Sequence, residues 1–131
     1  MKIEPINTEV GMIKGRDGIF LDKMEYTGSE IAFYGEFNEN VFNNFNGKDL
    51  EYKLTFRNIV FFKCYELDIY PREKLLEYSF DLVNDSELLS KLKSRDNQNK
   101  IKENHEHYIL GTYDYVFEII ATEYVLKIEN K

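Results

Sequence analysis

Glu103, His105 and His107 stand at i, i+2 and i+4. On a strand this spacing turns all three side chains to one face. Two imidazoles and a carboxylate on one face can hold a divalent metal and leave coordination positions open. No further protein ligand is identifiable on a neighbouring strand, and the plain alternative is a pair of exposed histidines where a strand begins. Cys64 is the single cysteine. It could serve as a nucleophile with His105 or His107 as its base, because a thiol needs such a partner to react near neutral pH. No local signature accompanies that pairing, and a reduced, buried thiol is the alternative. Asp17, Asp22, Glu25, Glu66, Asp68 and Asp114 supply carboxylates, but hydrolysis by a carboxylate pair needs two of them across a cleft, a separation that sequence does not encode. The stretch from Lys91 to Lys102 carries five cations and one anion. It has no interleaved aromatic residues on which bases could stack, and it reads as a solvated helix end and loop. No G-x-S-x-G, P-loop or G-x-G-x-x-G occurs.

The elements that must position these residues follow from periodicity. Ile31, Phe33, Gly35 and Phe37 alternate with Ala32, Tyr34 and Glu36. With the run from Ile19 to Tyr26 and the turn Thr27-Gly28-Ser29-Glu30, they predict a β-hairpin. Leu50, Tyr52, Leu54 and Phe56 alternate with charged and polar residues, which predicts a strand over 49–57 with one wet face. Ile59 to Leu67 predicts a strand covered on both faces, or one continuing from 49–57 through a bend at Asn58. The Asn-rich stretch 38–48 predicts a loop, either pinned to the core by Val41, Phe42 and Phe45 or offering them as a contact surface. Pro71 suits the first turn of a short helix over 72–77. Residues 79–83 predict a short strand. Asp85 or Ser86 can cap a helix over about 85–95, with Leu88, Leu89 and Leu92 as its apolar stripe. Residues 94–104 predict an exposed connection. The chain from His105 is extended, and Tyr115–Ile128 predicts strand, with helix as the alternative for its first part. The sum is a single α+β domain over 1–131, mainly antiparallel, with six to eight strands in one sheet or a sandwich and one helix packed on it.

The chain has 131 residues, a length suited to one domain with its own core. Its net charge is -7, so it is a poor collector of phosphate backbones but is suited to attracting a cationic partner. The acidic excess lies at both ends, in residues 1–50 and 105–131, and the middle is balanced. No apolar run reaches the length of a membrane helix. No signal peptide is visible, which with one cysteine predicts a reduced, cytoplasmic setting. Ten Tyr and ten Phe are the most unusual feature. Strands favour such rings, and tyrosine also favours recognition surfaces because it offers area at low entropic cost. Tyr108, Tyr113, Asp114, Tyr115 and Tyr124, in the acidic C-terminal segment, form the candidate partner-binding set.

The stretches His107–Ala121 (HYILGTYDYVFEIIA) and Leu54–Ile59 (LTFRNI) resemble small uncharacterised β-rich proteins of Gram-positive bacteria. Some of those resemble immunity proteins of polymorphic toxin systems. The resemblance implies a non-catalytic intracellular protein and brings no set of functional residues with it. The expectation is therefore a small acidic protein-binding module without a cofactor, meeting a basic protein and neither nucleic acid nor membrane. A homodimer through an uncovered strand edge is open to it. The competing readings are a metal-dependent enzyme using Glu103, His105 and His107, and a β domain with a small-ligand pocket.

Overall fold

The computed structural model describes residues 2–9, 11–14, 18–38, 50–70 and 78–130. Strands dominate: β1 (Lys2–Pro5), β2 (Ile19–Thr27), β3 (Glu30–Phe37), β4 (Leu50–Arg57), β5 (Phe61–Glu66) and β6 (Phe80–Asn84). Then come the helix α1 (Glu87–Arg95) and the strands β7 (Glu106–Gly111), β8 (Tyr115–Ala121) and β9 (Glu123–Asn130). All pairings are antiparallel, in a five-stranded sheet of order β1-β6-β7-β8-β5 and a four-stranded sheet of order β2-β3-β4-β9. This is the expected mainly antiparallel α+β class, with one helix among the described residues and nine strands where six to eight were expected, and the sandwich is the form it takes. The Asn-rich stretch with Val41, Phe42 and Phe45, the segment 72–77 after Pro71, and Asp17 lie outside the described residues.

The inner faces of the two sheets meet through rings. Phe33 sits 5.0 Å from Phe117, Phe56 5.3 Å from Tyr108, and Phe80 5.0 Å from Tyr124, measured between ring centroids. Phe33, Phe56 and Phe80 are fully buried. Each such side chain contributes roughly 1.5–3 kcal/mol by leaving water, so much of the aromatic excess is core material.

The expected hairpin forms, with a bulge at Asp22 between Leu21 and Lys23. Gly35 is required there. A Cβ at this position would lie 1.8 Å from the Phe20 carbonyl oxygen, the same oxygen that accepts a hydrogen bond from the buried Tyr52 hydroxyl at 2.9 Å.

Two expectations change at the crossings between sheets. The run from Leu50 onward does not continue as one strand. At Asn58, whose φ is 55°, the chain leaves the four-stranded sheet for the edge of the five-stranded one. There β5 is half exposed, not covered on both faces, and Cys64 is exposed, not buried. Residues 115–128 are strand as expected, but Thr122 breaks them into two, one in each sheet. The two crossings lie side by side. Asn58 Nδ2 donates to Thr122 Oγ1 at 2.9 Å, and the Thr122 N–H donates to the Arg57 carbonyl at 3.0 Å.

Candidate functional site

Strand register places two rows of side chains on the outer face of the five-stranded sheet. Asp81, Ile109, Glu118 and Lys63 stand opposite one another across β6, β7, β8 and β5. Val83, His107, Ile120 and Phe61 form the next row. Glu118 is thus diagonal to His107, and its Oε1 lies 2.9 Å from His107 Nε2. The N-cap of α1 arrives over the same ring. Ser86 is extended, its Oγ accepts the Leu89 N–H at 3.1 Å, and it lies 2.7 Å from His107 Nδ1. A carboxylate only accepts, so Nε2 carries the proton it donates to Glu118, and Nδ1 accepts from the Ser86 hydroxyl. Leu89, Ser86, His107 and Glu118 therefore form a directional chain from helix to sheet. His107 is 4% exposed and Ser86 6%. A cleft of about 220 Å³ opens on them, lined also by Leu82, Leu89, Lys93 and Glu106.

Asp81 lies one row away and is 3% exposed. Among the described residues it has no hydrogen-bond or ion-pair partner, and desolvation pushes its carboxyl up to about 7.

The proposed metal set falls apart as a ligand group. Glu103 is exposed in a turn before β7. His105 is buried, not exposed, because both ring nitrogens are used. Its Nδ1 accepts the Lys102 N–H at 2.8 Å, and its Nε2 donates to the Asn58 carbonyl at 2.8 Å. The ring thereby pins the first sheet crossing. His107 is buried by the bonds already given, so the reading of two exposed histidines at a strand entrance is corrected for both. No group of three or more His, Cys, Asp or Glu suited to a metal occurs among the described residues. Cys64 stands opposite Phe117 on the core-facing side of β5, away from His107 on the outer face, so the two make no nucleophile and base.

The candidate partner-binding set also divides. Tyr113, Asp114 and Tyr115 are exposed around the β7–β8 turn. Tyr113 stacks near Phe20, with ring centroids 5.5 Å apart. Tyr108 is buried and Tyr124 half-buried, 6.0 Å apart in the core. Burial raises the pKa of both phenols above the ordinary value. Both are inner-face residues, apart from the exposed group at the β7–β8 turn.

A second feature lies at one side of the sandwich. Met24 and Tyr26 register with Phe33 and Ile31, hence on the core-facing side of β2. They are nevertheless 43% and 71% exposed. β2 and β5 are edges of the two sheets. Between them runs an apolar groove of about 470 Å³ lined by Met24, Tyr26, Ile31, Val60, Phe61 and Phe62. In the sequence these are strand positions and the groove is not visible, because which strands end a sheet is not written in their periodicity. Ser86 reads there as a cap only, and Glu118 as one polar position of a strand. Pairing 106–111 with 115–121 through their short turn would have set Glu118 diagonal to His107.

Comparison with protein-family models, with curated proteins and with solved structures finds no match.

Proposed function

We propose that the protein is an acidic protein-binding module that receives a basic partner across the open side of its sandwich. The observation that carries this reading is the exposure of Met24 and Tyr26 on the core-facing side of an edge strand. A contiguous apolar patch left open in this way is a typical mark of an interaction site. Among the described residues no further strand pairs with β2 or β5, and their outer edges beyond Ile19 add main-chain donors and acceptors that an extended segment can use. The net charge of -7 supports a cationic partner, through faster encounter more than through tighter contact. Tyr113, Asp114 and Tyr115 enlarge the exposed tyrosine and acidic surface away from the groove. The resemblance carried by His107–Ala121 and Leu54–Ile59 supports an immunity-like role in a bacterial cytoplasm, and binding at this face requires no catalysis.

Display selection against the purified chain tests the reading. A library of extended peptides is panned against the wild type and, in parallel, against Tyr26→Glu/Val60→Glu. The expected result is enrichment of sequences that interleave apolar residues with Lys and Arg, with affinity for the double variant weakened roughly tenfold or more. Enrichment that is equal on both proteins, or that ignores charge, contradicts it. Occupation of the groove by a second copy would appear as a concentration-dependent dimer abolished by the same variant, and would replace the basic partner with self-association.

A further inference from the structure

The outer face of the five-stranded sheet holds an arrangement that the binding reading leaves unused. We infer that Ser86, His107 and Glu118 form an acyl-transfer site for small carboxylic esters bearing an anionic group, with Ser86 as nucleophile and His107 as its general base. The geometry carries it. Ser86 Oγ lies 2.7 Å from His107 Nδ1, and His107 Nε2 lies 2.9 Å from Glu118 Oε1. These are the separations of a hydroxyl, its base and the carboxylate that orients the base. The ring nitrogens have exchanged roles relative to the familiar serine hydrolases, but either imidazole nitrogen can accept a proton when the other N–H is held. Ser86 Oγ donates to His107 and accepts from Leu89 N–H. A hydroxyl oxygen has two lone pairs, so one stays available for attack.

The cleft supplies the remaining requirements. Its roughly 220 Å³ reaches both Ser86 and His107, large enough for a small acyl group and too small for a peptide. Asp85, Lys93 and Glu106 are its charged walls, and Lys93 is the one cation among them. Lys93, one of the basic residues of the last turn of α1, supplies the cation for an anionic substituent. The backbone N–H groups of Glu87 and Leu88 belong to the first turn, where a helix leaves its donors without intrahelical acceptors and favours developing negative charge. In the reaction the bond from Ser86 Oγ to the acyl carbon forms as the hydroxyl proton passes to His107 Nδ1. The bond from acyl carbon to leaving oxygen then breaks, and that oxygen takes the proton. Water, deprotonated by the same ring, hydrolyses the acyl-serine and restores the hydroxyl. Glu118 is a positioning residue: it fixes the tautomer and steadies the imidazolium. The other charged or titratable groups around the ring are Asp81 on β6, Lys63 on β5, and Asp85, Lys93, His105 and Glu106 at the cleft.

Three variants distinguish a nucleophile from a strut between helix and sheet. Asn caps helices as well as Ser does but is no nucleophile. The purified full chain is incubated with para-nitrophenyl acetate and with the para-nitrophenyl monoester of succinate. Nitrophenolate release is followed, and the acylated residue is located by peptide mass. The expected result is a stoichiometric burst with acyl on Ser86, faster for the anionic ester. Ser86→Asn is expected to abolish it with the fold intact by circular dichroism. His107→Gln slows acylation by on the order of 10²–10⁴-fold. Glu118→Gln slows it and moves the acid limb of the rate profile to lower pH, a shift that a strut would not produce. Acyl found only on lysines, or Ser86 labelling unchanged in His107→Gln, overturns the site. Should Ser86→Asn fail to fold, His107→Gln and the location of the label decide alone.

Discussion

Asp81 is the residue whose environment disagrees most with its chemistry. A carboxyl that is 3% exposed, with no partner among the described residues, is held protonated far above its ordinary range, up to about 7. An unfolded aspartate titrates near 3.8, so between these values the folded chain binds more protons than the unfolded one. Stability then falls as pH rises from about 4 to about 7 and levels off above, by a few kcal/mol in all. Asp81→Asn removes that slope. Urea midpoints at about pH 5 and about pH 8 check it: the wild type loses stability between them through this group, and the variant does not. Parallel midpoints in the two proteins would contradict the burial argument. Ser86 offers a second prediction at this scale. Ser86→Ala loses both the cap and the partner of a buried ring nitrogen, at a cost of about 2–3 kcal/mol by chemical denaturation, and a loss under about 0.5 kcal/mol would contradict it. The cap was legible in the sequence, since Ser86 precedes the Leu88, Leu89 and Leu92 stripe. Its bond to His107 was not, because that depends on where a helix lands on a sheet and on the register of two strands.

At the scale of elements, Gly35 and Gly28 form a matched pair. Both lie in the β2–β3 hairpin, and only Gly35 faces a neighbour. A methyl group there meets the Phe20 carbonyl at 1.8 Å, whereas nothing lies within 4 Å of one at Gly28, whose φ is 62°. Gly35→Ala is expected to lower stability by on the order of 3 kcal/mol through steric displacement of β2. Gly28→Ala costs about 1–2 kcal/mol through backbone conformation alone. Thermal or urea unfolding of the two variants checks the order, and a reversed order would show that the bulge at Asp22 absorbs the added methyl. The hairpin, the strand over 49–57, the strand near 79–83 and the capped helix were all readable from alternation and turn chemistry. The crossings at Asn58 and Thr122 were not. A bend is visible in sequence, but the choice to bend within a sheet or to leave it is made by the rings that fill the space between sheets. The burial of His105 follows from the same cause, since its ring is enlisted to hold that corner.

Across the whole molecule, the described residues leave one side of the sandwich open. The apolar faces of β2 and β5 border a groove, and the chain carries a net charge of -7. The charge was plain from composition, but the groove was hidden, because the bulge at Asp22 turns Met24 and Tyr26 to the side of Ile19 and Leu21, and the sheet order then leaves them at an edge. Tyr26→Glu/Val60→Glu should leave the fold unchanged by circular dichroism and reduce binding of an apolar dye such as ANS. Unchanged dye binding would place the exposed apolar surface elsewhere. The most direct test of the central claim is the association rate of a cationic ligand selected on the wild type, followed by stopped flow against ionic strength. With electrostatic steering, kon falls by on the order of tenfold as ionic strength rises from about 0.01 M to about 1 M. The koff is expected to rise in Tyr26→Glu/Val60→Glu. A kon indifferent to salt, with a koff the same in both proteins, would contradict it.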